Sequence, residues 1–130
     1  MIPKFREWDA EREKLFKGKG MSYGVRKDFD NSIRIEFEHI EDLDAINKDG
    51  SIDRVVMMST GLKDINGTEI YERDIVKNEY AETYVVKWLD AGFYLEEKYN
   101  GGFDYSELHF GNNKEVIGNI YENPELLEDN

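Results

Sequence analysis

The chain has 130 residues, enough for one domain or two small subdomains sharing a core, with no need of covalent staples. Its 29 Asp and Glu against 17 Lys and Arg leave a formal net charge of -12, which disfavours binding to a nucleic-acid backbone or to an anionic membrane surface. Cysteine is absent, which excludes disulfides, thiolate nucleophiles and Cys-type zinc or iron–sulfur sites, and leans toward a reducing cytoplasm.

Lys4-Phe5-Arg6-Glu7-Trp8-Asp9 begins an apolar-rich stretch, but its charges interrupt any secretory signal core. No apolar run nears the roughly 20 residues that span a bilayer, so a soluble chain is expected. Residues 9–17 suit a short helix, with Asp9 as N-cap, Gly18 as the stop and Glu13 paired with Lys17; a hairpin returning through Leu15 and Phe16 is the alternative. Gly18, Gly20 and Gly24 mark a turn region. Ile33, Ile35 and Phe37 then alternate with Arg34, Glu36 and Glu38, the pattern of a half-buried strand. Residues 41–50 read as an acidic loop closed by a turn at Asp49-Gly50, and residues 53–58 as the next strand.

Signals become denser beyond that point. Thr60 to Gly67 is expected to turn at Asn66-Gly67, a pair that favours positive φ. Residues 70–76 read as a turn leading into a strand, and Tyr84-Val85-Val86-Lys87-Trp88 as a strand rich in β-branched and aromatic residues. Asp90-Ala91-Gly92 turns the chain into a strand over residues 93–96. Asn100-Gly101-Gly102 is a loop before Phe103, Tyr105, Leu108 and Phe110. Val116 to Tyr121 forms the last strand, and Asn123-Pro124 caps a terminal helical turn. Short strands punctuated by Gly, Asn and Asp point to a small barrel or sandwich.

Three stretches carry a family resemblance. They are the opening Lys4-Phe5-Arg6-Glu7-Trp8-Asp9, the central run from Met58-Ser59-Thr60-Gly61-Leu62 through Arg73-Asp74-Ile75-Val76, and the closing Val116-Ile117-Gly118-Asn119-Ile120-Tyr121-Glu122-Asn123-Pro124-Glu125-Leu126-Leu127. Jointly they resemble the YopX family of small bacteriophage and prophage proteins; residues 21–50 are matched poorly. Members usually have Gly where this chain has Arg73, so Arg73 is expected to be strained if that position needs positive φ. The resemblance implies a mainly β (α+β) fold: an SH3-like, partly open barrel over residues 55–130 and an N-terminal α+β addition over residues 1–54. It implies action in the host bacterial cytoplasm and no established biochemical activity. In this reading Gly61, Asn66, Gly67, Asp74 and Gly118 are structural turn or bulge positions, with Asp74 accepting hydrogen bonds in the turn before a barrel strand.

No catalytic constellation emerges from the residues. The acidic run around Asp44, Asn47, Asp49, Gly50 and Asp53 fails the calcium-loop register, because it places Ala45 at loop position 1 and Val56 at position 12. His39 and His109 stand in no triad pattern, and no serine sits in a nucleophile elbow. Glu72 with Asp74, and Glu96 with Glu97, are paired carboxylates of a kind that abundance alone produces. Gly18-x-Gly20 lacks the third glycine and the preceding strand of a nucleotide fingerprint. No cofactor and no metal site is expected.

The aromatic set is the richer signal. Tyr99, Phe103, Tyr105 and Phe110 are the expected contact residues of a non-enzymatic protein–protein interaction module whose partner is a host or phage protein, with homo-oligomerisation open. Two alternatives follow from the charge: an acidic mimic of DNA that occupies a host DNA-binding protein, and a small metal-dependent hydrolase or nuclease. Lys77, Lys87 and Lys98 do not make a basic patch, so direct nucleic-acid binding is disfavoured.

Overall fold

The computed structural model describes residues 4–30, 32–38, 54–99 and 101–127. Expectations for residues 41–50, for His39 and for the calcium-like run up to Asp53 fall outside them. Among the described residues there are ten strands, one α-helix and one 3₁₀ turn, so the fold is mainly β as expected. No helix is long and apolar enough to cross a membrane. The chain divides into two compact units at Met58/Ser59.

In the first unit the opening segment is itself a strand, β1 (Lys4–Asp9), which the sequence pattern did not reveal. Its pairing partners are β2 (Met21–Phe29) on one side and the start of β4 (Arg54–Lys63) on the other; β3 (Ser32–Phe37) pairs with β2, and all contacts are antiparallel. Helix α1 (Ala10–Leu15) follows β1 directly. Asp9 caps it as predicted, accepting from the Arg12 N–H at 3.0 Å, but the helix ends at Leu15, short of Gly18. Glu13 does not serve the predicted pair with Lys17. Its carboxylate instead accepts from the Gly18 and Gly20 N–H groups at 2.9 and 3.0 Å, tying the helix to the loop behind it. A Cβ on Gly20 would lie 2.6 Å from the Trp8 ring and 2.7 Å from Glu13 Cβ, so only glycine lets this loop close.

The second unit holds a five-stranded antiparallel sheet in the order β10-β6-β7-β8-β9, curled into a half-barrel. Its strands are β6 (Asp74–Lys77), β7 (Thr83–Leu89), β8 (Gly92–Tyr99), β9 (Gly102–Glu107) and β10 (Glu115–Asn119). The rest of β4 pairs with β5 (Glu69–Tyr71) in the same unit. β4 continues to Lys63 through an irregularity at Gly61 (φ 80), and the expected turn at Asn66-Gly67 follows it, opened by Asp64 and closed by Gly67 (φ 81). Period-2 alternation explains the core. Val86 lies opposite Leu95, and Val76 opposite Tyr84, so these four share the face that packs on Ile70 and Leu108. The C-terminal turn is a single 3₁₀ turn, Pro124–Leu127; the Asn123 carbonyl accepts the Leu126 N–H, while its side chain turns back to accept from Asn119 N–H.

Arg73 sits in the left-handed region, φ 69, between β5 and β6. Its N–H donates to the Val86 carbonyl at 2.7 Å and its carbonyl accepts from Ile120 N–H at 3.1 Å, so the sheet holds it there. An L side chain in that conformation costs about 1–2 kcal/mol, and glycine gives back about 0.4–1 kcal/mol through the unfolded chain. Arg73→Gly is thus expected to stabilise the protein by about 0.5–1 kcal/mol in urea unfolding, whereas Arg73→Ala, which keeps the strain, gains nothing. Equal behaviour of the two variants would refute backbone strain as the cause.

Candidate functional site

Two tight turns build the exposed side of the second unit. Asp90 and Ala91 (φ 46 and 63) join β7 to β8 in the doubly left-handed manner of a type I′ hairpin, with Leu89 opposite Gly92. A second two-residue connection, containing Gly101 at φ 81, sets Tyr99 opposite Gly102 and launches β9. The register that follows is regular from Gly102 to Glu107, placing Phe103 opposite Lys98 and Tyr105 opposite Glu96. Residues directly opposite share a face, so Phe103, Tyr105, Glu96 and Lys98 form one surface.

That surface is apolar in its exposed rings and charged between them. Phe103 and Tyr105 are 55% and 50% exposed. The Tyr105 hydroxyl donates to Glu96 at 2.8 Å, and Lys87 Nζ approaches the other oxygen of Glu96 at 3.8 Å, so one carboxylate ties β9 to β7 across β8. The hydrogen bond to Glu96 holds the Tyr105 phenol above its ordinary pKa. Beside Phe103 a shallow cavity of about 110 Å³ is lined by Thr83, Val85, Lys98 and Leu127.

The four aromatic candidates do not form one cluster. Phe103 and Tyr105 come together on β9. Phe110, 58% exposed, lies past the end of the strand, beyond Leu108, whose side chain turns into the core. The side chain of Tyr99 is outside the described residues; its backbone pairs with Gly102. Glu96 and Glu97 point to opposite faces, Glu96 to Tyr105 and Glu97 toward Tyr84, so they cannot act as an acid–base couple. Burial, together with the charges of Glu82 and Glu97, raises the Tyr84 phenol pKa as well.

Of the turn candidates, Asn66 and Gly67 lie in a loop, whereas Gly61, Asp74 and Gly118 fall within or at the start of strands. Asp74 is buried and accepts from the Tyr71 N–H at 2.8 Å. Gly67 (φ 81) closes the turn that Asp64 opens, and the Asn66 amide donates to Glu115 at 3.3 Å. Gly118 sits at the irregularity of β10, where a Cβ would come within 2.5 Å of the Asn123 Oδ1. Sequence reasoning missed Asp64 and Asn119. The side-chain oxygen of Asn119 accepts from Tyr121 and Glu122 N–H groups and its amide donates to Glu122. Both follow the Asx pattern of a short acceptor bonding amides two or three residues on, which is the signal that marks them.

Other groupings offer less chemistry. His109 meets Glu107 at 2.7 Å, with both side chains exposed. Among the described residues no three His, Asp or Glu side chains are grouped to hold a metal ion. A wider cleft of about 400 Å³ lies between the loops at residues 78–81 and 112–114, its charges being Lys77, Glu79, Lys114 and Glu115; Lys77 is paired with Glu115 at 3.3 Å.

Residues 4–128 match the family model described as YopX protein. The chain is 27% identical over 132 residues to the SPbeta prophage-derived uncharacterized protein YopX of Bacillus subtilis (strain 168), covering 95% of both. Among solved structures, protein EF1440 from Enterococcus faecalis is 28% identical with a TM-score of 0.46, covering 98% of this chain and 99% of that one. The crystal structure of yopX from Bacillus subtilis is 19% identical with a TM-score of 0.47, covering 96% and 98%.

Proposed function

Because the chain belongs to the YopX family of prophage proteins, we propose that it is a prophage accessory protein acting in the host cytoplasm by protein–protein contact rather than by catalysis. The observation that supports this reading is the β8–β9 surface, where two large rings, Phe103 and Tyr105, stand half or more exposed on a regular strand. Aromatic side chains of this kind supply most of the contact energy at small interfaces, and an outward-facing pair has no structural duty in the core.

The test is a pull-down from nuclease-treated host lysate at two salt concentrations, with wild type and the Phe103→Ala/Tyr105→Ala variant. A protein retained by wild type is expected to be lost at least about tenfold from the variant, whose circular dichroism and melting remain those of a folded chain. Equal retention by the folded variant overturns the assignment of this surface. A retained DNA-binding protein that leaves at high salt, and ignores the two substitutions, would replace the reading with that of an acidic mimic.

A further inference from the structure

We propose that β9 binds its partner by strand addition: the occupant is an extended, basic segment of another protein whose main chain pairs with the free edge of the sheet. This rests on the contact reading above and deepens it.

The backbone establishes which groups are available. The Leu108 N–H donates to the Phe93 carbonyl at 3.0 Å, so the even positions along β9 carry the ladder to β8. By the antiparallel alternation, Gly102, Asp104 and Ser106 bond inward, and the N–H and C=O groups of Phe103, Tyr105 and Glu107 point outward. β9 ends the strand order of its sheet, and among the described residues those three backbones have no hydrogen-bond partner. The strand carries no bulge in its register and no proline, two of the devices that normally blunt an edge. Its residues from Phe103 to Glu107 are all exposed.

Charge selects the occupant. β9 bears Asp104 and Glu107 and no basic residue, and Glu96 and Glu97 stand on the adjacent strand against one lysine, Lys98. A second copy of this chain would bring the same carboxylates edge to edge, on a molecule already at -12. An antiparallel segment with lysine opposite Glu107 and Asp104, and valine opposite Tyr105 and Phe103, satisfies the charges and covers the rings. Main-chain bonds then give affinity, and the alternating side chains give selectivity.

The probe is a fluorescent, end-capped heptapeptide, Thr-Lys-Ser-Val-Lys-Val-Thr, titrated by anisotropy into the full chain at low salt. Two controls accompany it: one with both valines N-methylated, which removes their N–H donors to the Phe103 and Tyr105 carbonyls and crowds that edge but keeps every charge, and one with both lysines replaced by glutamate. Each control is expected to bind at least about tenfold more weakly than the parent, and the parent is expected to slow amide exchange at Phe103, Tyr105 and Glu107. Equal binding by the N-methylated peptide overturns strand addition, leaving only attraction between charges. Equal binding by the glutamate peptide overturns the choice of a basic occupant. No binding by any of the three overturns the proposal, while loss of a lysate partner from the Phe103→Ala/Tyr105→Ala variant would still uphold the contact surface.

Discussion

Asp64→Ala is expected to destabilise the protein by about 3 kcal/mol, a large share of the 5–15 kcal/mol typical of a domain. The carboxylate is 5% exposed and accepts three backbone N–H groups. Oδ1 takes those of Asn66 and Thr68 at 2.9 and 2.8 Å, and Oδ2 takes that of Val116, 52 residues away, at 2.8 Å. One side chain therefore closes its own turn and fastens that turn to the start of β10, a junction reinforced by the Ile65 N–H donating to the Lys114 carbonyl. Alanine leaves all three donors without an acceptor. Asn66 and Thr68 are exposed, so water recovers part of the loss, which is why the figure stays below three full desolvation penalties. Asp64→Asn keeps one acceptor oxygen but turns a donor toward the remaining amides, and it should fall between wild type and alanine. Urea unfolding reads the cost and amide exchange locates it, with Thr68 and Val116 losing protection together. A loss under about 1 kcal/mol would show that the carboxylate does not hold this junction.

Arg12→Met is expected to cost about 3–5 kcal/mol, because it removes a charged hydrogen-bond partner from a buried carboxylate. Arg12 and Glu7 are each 1% exposed and meet at 2.9 Å through Nη1. The guanidinium fork is used further: Nε donates to the Lys19 carbonyl at 2.7 Å and Nη2 to the Gly20 carbonyl at 3.1 Å. A lysine has one compact ammonium and cannot reach three acceptors arranged for a planar fork, so Arg12→Lys should recover little. The decisive comparison is the double variant Glu7→Leu/Arg12→Met. Removing both charges ends the cost of burying a carboxylate that has lost its guanidinium, and the double variant should be more stable than Arg12→Met alone by about 1–3 kcal/mol. Additive losses would mean that the two side chains contribute separately.

Those two sites mark where sequence reading stops. Asp64 and Val116 lie 52 positions apart, and nothing in local periodicity links a turn acid to a distant strand amide. Arg12 and Glu7 look like ordinary surface charges in an acidic, polar chain; they are buried because β1 and α1 adjoin at Asp9 and the following loop closes over them through Gly20. β1 itself was hidden for a related reason. Its buried positions are Arg6, Glu7 and Asp9, so an apolar alternation never appears.

What the sequence determined by itself was local and compositional. The alternation at residues 33–37, the β-branched run at Tyr84 to Trp88, the Asp9 cap and the family's three stretches all express short-range propensity or direct likeness, and each is met by the observed elements. Arg73 belongs with them, since the family resemblance raised a positive φ at that position and the residue adopts one, φ 69. Tertiary structure alone decided the rest. It placed Phe103 and Tyr105 on one face and Phe110 off it, because register, not spacing, sets cross-strand neighbours. It also left β9 at the end of the sheet, because strand order depends on which pairings bury the most surface across the whole chain, and no stretch of residues records that sum.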